Sequence, residues 1–92
     1  MPATSAAGHP RCMSRFLLQH QHQPTECGAA FASFQGSESP VRRRAAIASC
    51  RFGGHRIWWT VDAASEQDAL DQLPRYVAER TRVTTVMDVL IP

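Results

Sequence analysis

The sequence predicts an α+β fold, one small domain with its elements in the order βαββαβ. Three observations predict it. Four segments read as strands, and two of them, residues 15–23 and 55–63, show the two-residue period of a strand face. Two segments carry apolar stripes at helical spacing. The pair Gly53-Gly54 joins the two middle strands as a hairpin signal.

Residues 15–23 read RFLLQHQHQ, with Phe16, Leu18, His20 and His22 on one face and Leu17, Gln19 and Gln21 on the other. That alternation is a strand. Pro24 ends it, Thr25 is placed to cap a helix, and Glu26 suits the positive end of the helix dipole. Cys27, Phe31 and Phe34, spaced i, i+4, i+7, give that helix its apolar stripe, and Gly36 stops it. A loop with Pro40 and Arg42-Arg43-Arg44 leads to a second strand over residues 45–52. The third strand, residues 55–63, sets His55, Ile57, Trp59 and Val61 on one face. Ser65 caps a second helix with Asp68 three residues on, as in a capping box. Its stripe is Leu70, Leu73 and Val77, and Pro74 inside the stripe predicts a kink or a break into two short helices. A last strand covers residues 83–91.

This order is that of the ferredoxin-like fold: a four-stranded antiparallel sheet, ordered fourth, first, third, second, with two helices on one face. The domain is expected over residues 14–92, after a mobile tail at 1–13 of Ala/Pro/Ser character. Met13, just ahead of the first strand, is a second candidate start.

With 92 residues, 43% of them hydrophobic and 20% charged, the composition is that of a globular chain. All ten basic residues are Arg, and Lys and Asn are absent, which reads as a high-GC coding bias. A net charge of +2 gives no general reason to bind nucleic acid. The strands lack the paired exposed aromatics of an RNA-recognition module. The arginine run is read as a solvated loop. No apolar run approaches the ~20 residues of a membrane span, and the first twelve residues do not read as a secretory signal. A cytoplasmic protein is expected. Three cysteines (Cys12, Cys27 and Cys50) have no framework spacing and argue against a disulfide scaffold.

The predicted topology gathers His20, His22, Cys27, Cys50 and His55 at one end of the sheet, facing the layer between sheet and helices. Two imidazoles two residues apart on a strand face can grip one ion. A third imidazole and thiolates complete a nitrogen and sulfur set suited to a transition metal, Ni, Zn or Cu. The same residues also read as ordinary packing, since free Cys often serves as a small core hydrophobe. They further allow thiol chemistry between Cys27 and Cys50, free at rest and close enough to oxidise reversibly. On the other face Leu17, Ile47, Trp58, Val86 and Leu90 form an apolar surface. A homodimer through that surface is expected, with no nucleic-acid or membrane partner.

The hairpin, the AASEQDAL helix entry and the ending VMDVLIP, within residues 48–92, resemble small ferredoxin-like actinomycete proteins that include a nickel-binding member. The resemblance implies the fold and makes metal binding an expectation. HQHQPTEC and SCRFGGH are not matched to that family, so it transfers no ligand. The fold is also similar to that of dimeric α/β-barrel monooxygenases and haem-degrading enzymes. That likeness makes an enzyme acting on a small aromatic substrate the alternative.

Overall fold

The computed structural model describes residues 13–92. Most of the expected tail, with His9 and Cys12, lies outside the described residues. Strand β1 (Ser14–Gln21) is followed by a 3₁₀ turn (Pro24–Glu26) and helix α1 (Cys27–Ala32). Then come β2 (Ile47–Ala48), a 3₁₀ turn (Cys50–Phe52), β3 (Arg56–Ala63), the short helices α2 (Glu66–Leu70) and α3 (Arg75–Ala78), and β4 (Thr81–Val86). The four strands form one open sheet in the order β2-β3-β1-β4, with every neighbouring pair antiparallel.

The alternation of β1 sets the core. Phe16, Leu18 and His20 stand opposite Val61, Trp59 and Ile57 of β3, and all six are buried on one face. Ala69, Leu73 and Val77 from the helical segment cover that face. Phe34 closes it from the other side, its ring 6.1 Å from that of Trp59. Ser65 caps α2 as expected, its hydroxyl accepting from the Asp68 N–H at 3.1 Å. Pro74 breaks the helical stripe: its ring cannot continue α2, and it stands as N-cap of α3.

Two strands are shorter than the sequence predicts, and both are edge strands. The β4 ladder ends where Val86 faces Arg15, because β1, its one neighbour, begins at Ser14. Met87, Val89, Leu90 and Ile91 follow as exposed chain. Leu90 therefore lies in this tail rather than on the sheet face. Strand β2 pairs with β3 only at Ile47 and Ala48. After that Ser49 takes over, accepting from the Phe52 and Gly54 N–H groups through its carbonyl and from the Arg56 N–H through its hydroxyl. The expected two-residue hairpin is thus a wider turn, and Cys50 sits on its 3₁₀ portion instead of on a strand. Gly53 ends that portion at φ 86°, a conformation glycine adopts freely.

Among the described residues, no helix is long and apolar enough to cross a membrane.

Candidate metal site

The end of β1 is tied on both sides. The Gln21 N–H donates to the Arg80 carbonyl and the His22 N–H to the His55 carbonyl, each at 3.1 Å. The second bond brings His22 against the wide turn after β2. The start of α1 is held separately. Glu26 accepts from the Gln23 N–H at 2.8 Å, from Arg80 Nε at 3.1 Å and from the Tyr76 hydroxyl at 3.2 Å. Arg80 in turn stacks 3.8 Å from the centre of the Tyr76 ring. This clamp fixes Cys27, the next residue, over the end of β1. Thr25 is not the cap; the helical run starts two residues earlier, with Gln23 as its N-cap.

All five residues singled out in the sequence come together here. Starting inside, His20 Nδ1 lies 3.2 Å from the Val77 carbonyl and His20 Nε2 lies 2.9 Å from His22 Nδ1. His22 Nε2 is 3.2 Å from Cys27 Sγ and 3.8 Å from Cys50 Sγ. Cys27 Sγ is 3.1 Å from His55 Nδ1. One ligand atom each from His22, Cys50 and His55 falls within 4.8 Å of the others. His20 stands behind this group with both ring nitrogens already engaged.

Burial orders the protonation. His20 and His22 are 1% and 4% exposed. Burial pushes both imidazoles below their ordinary value; the carbonyl of Val77 partly offsets this at His20, and the neighbouring His55 adds to it at His22. Both rings are therefore neutral near pH 7. A carbonyl can only accept, so His20 carries its proton on Nδ1 and leaves Nε2 as an acceptor. His22 must then donate from Nδ1, which leaves a lone pair on Nε2 facing the two thiols. Burial first, and the nearby Cys27 second, push the Cys50 thiol up, so it holds its proton until something displaces it.

No family model, curated protein or solved structure matches the chain. Its chemistry is read from the site itself.

Ligand atoms 2.0–2.3 Å from a tetrahedral ion stand about 3.3–3.8 Å from one another. The His22 Nε2–Cys50 Sγ separation, 3.8 Å, falls in that range; the two through Cys27, 3.2 and 3.1 Å, are shorter, and Cys27 stands beside the group of His22, Cys50 and His55 rather than in it. This His/Cys/His group could hold a metal ion. His55 is held at φ 52°, an uncommon conformation for a residue with a side chain, which turns its ring toward Cys27. The groups that support the site from behind carry no signal in the sequence. The Val77 carbonyl belongs to the backbone. Thr81, which donates to that carbonyl at 2.6 Å and lies 3.4 Å from His20 Nδ1, looks like any strand threonine.

Proposed function

We propose that this protein is a small ferredoxin-like homodimer that binds a transition metal, Ni, Zn or Cu, through His22, Cys50 and His55, with Cys27 as fourth donor. The observation that carries the reading is the group of His22, Cys50 and His55, one ligand atom of each within 4.8 Å of the others, with Cys27 Sγ 3.2 and 3.1 Å from the two rings. His20 acts one step back: it holds the ring and tautomer of His22, the role that an outer-shell partner plays at a metal-bound imidazole. The strand order β2-β3-β1-β4, read from the other edge as fourth, first, third, second, supports the ferredoxin-like assignment. The resemblance to actinomycete proteins with a nickel-binding member agrees with it. Mixed nitrogen and sulfur donors favour these borderline ions over Mg or Ca.

Elemental analysis of protein purified without a polyhistidine tag, followed by titration with Zn, Ni and Cu, tests the reading. Stoichiometric uptake lost in His22→Ala/His55→Ala is expected. Equal uptake by the two proteins, or none by either, overturns it.

The dimer is proposed through the open sheet face, where Leu17, Ile47, Trp58 and Val86 lie and from which the tail with Leu90 extends. Ile47, 73% exposed beside Trp58, supports it. Sedimentation should show a dimer, and Trp58→Glu a monomer.

A second reading, a dimeric α/β-barrel-type enzyme (monooxygenase-like) acting on a small aromatic substrate, is favoured by one observation. An opening of about 340 Å³ lies between the sheet and α1. Oxygen consumption on adding a hydroquinone, lost in Trp59→Ala, is its test; no consumption removes it.

A further inference from the structure

The same opening carries a binding inference that stands apart from the metal and from any turnover. Its walls include Phe34, Ile57 and Trp59, and its rim is Arg42, Arg43 and Arg44. At about 340 Å³ it is at the small end of ligand sites, which hold a few placed polar groups around an apolar body. None of the three arginines pairs with a carboxylate among the described residues. Among the described residues, Arg42 and Arg44 donate to backbone carbonyls, of Ser37 and Thr60, both at 3.3 Å. Each guanidinium has five N–H donors, so most remain free. Three like charges on one rim repel one another, and an anion seated among them relieves this. The tilted rings of Phe34 and Trp59, 6.1 Å apart, offer a planar body faces to pack against. Phe31 lines the opening too and meets the His22 ring edge-on, with centroids 6.4 Å apart, so a ligand there would neighbour the His/Cys cluster.

We propose that this opening binds a small aromatic carboxylic acid, its ring between sheet and α1 and its carboxylate on the arginine rim. Bidentate guanidinium–carboxylate pairing suits that group.

The test uses the full chain without added metal and two matched probes, 2-naphthoate and the neutral 2-naphthalenemethanol. Binding is followed by the indole N–H resonance of Trp59, assigned with Trp59→Phe. Naphthoate should shift it and bind about tenfold or more tightly than the alcohol. Arg42→Gln/Arg43→Gln/Arg44→Gln should erase that difference and leave alcohol binding unchanged. Ala48→Phe, which fills the opening from β2, should abolish both. Equal binding of acid and alcohol by the native protein, an unweakened naphthoate affinity in the triple variant, or an unmoved Trp59 signal with both probes overturns the proposal. None of these outcomes depends on metal uptake.

Discussion

His20 Nε2 lies 2.9 Å from His22 Nδ1, and this contact decides which nitrogen of His22 faces the thiols. The direction is set further back, at the Val77 carbonyl, which can only accept the His20 Nδ1 proton. A backbone group of α3 thereby orients a lone pair at the end of β1.

Replacing His20 should therefore act at a distance. His20→Leu keeps an apolar body in the core but leaves the His22 Nδ1–H buried without a partner. A loss of about 1–3 kcal/mol in stability is expected. Metal affinity should fall by about 10- to 100-fold, the usual cost of removing an outer-shell partner. Chelator competition gives the affinity, and urea unfolding of the metal-free protein gives the stability. An unchanged affinity would show that His22 needs no support.

The two imidazoles also set a pH dependence for the metal-free protein. Their folded values lie below the ordinary 6.5, so between the two the unfolded chain binds more protons than the folded one. Stability is full above about pH 6.5 and is lost as pH falls below it. Glu26, held below its ordinary 4.5 first by the Gln23 N–H and then by Arg80 and Tyr76, adds a separate loss at lower pH. Urea midpoints measured from pH 8 to 5 should decline through the first window. In His20→Leu the decline should be smaller. A flat profile would mean that neither ring is neutralised by burial.

The turn that presents His55 is sensitive at Gly54. A methyl group there would run into the Oγ and Cβ of Ser49, the residue that anchors the turn through four hydrogen bonds. Gly54→Ala should shift the turn and cost about 1–3 kcal/mol. It should also weaken metal binding, because His55 follows directly. Gly53→Ala, strained at positive φ but in open space, should cost only about 1 kcal/mol. Comparable metal affinities in the two variants would separate His55 from the site.

How far these features were legible in the sequence follows from their range. The face of β1 was legible because strand alternation is local, and it placed His20 and His22 inside together with Phe16 and Leu18. The Pro74 break was legible for the same reason. The strand ends were not: a strand is expected over residues 83–91, yet β4 stops where β1 supplies no further partner, a long-range condition. The apparent strand at 45–52 ended early because the Ser49 hydroxyl and carbonyl captured the turn. The convergence of five His and Cys side chains followed from topology alone. Their division into a front group and His20 behind it did not, since it depends on a carbonyl and on distances of a few tenths of an ångström.

Cys27 and Cys50 separate a three-donor site from a four-donor one. Cys50 belongs to the group with His22 and His55, whereas Cys27 bridges the two histidine rings at 3.2 and 3.1 Å. Both are free thiols and both are half-buried. A metal ion displaces the proton of each thiol it ligates and shields the sulfur from alkylation. In a Cys12→Ser background, iodoacetamide followed by mass analysis should modify both remaining cysteines in the metal-free protein. Cys50 should react more slowly, because the thiolate is the reactive form and burial holds its proton on. With Zn bound, both should be protected, with two protons released per ion at a pH where both start as thiols. Protection of Cys50 alone, with one proton released, would leave Cys27 as a neighbour and the fourth position open to water. Alkylation of both at unchanged rates would remove the thiols from the site.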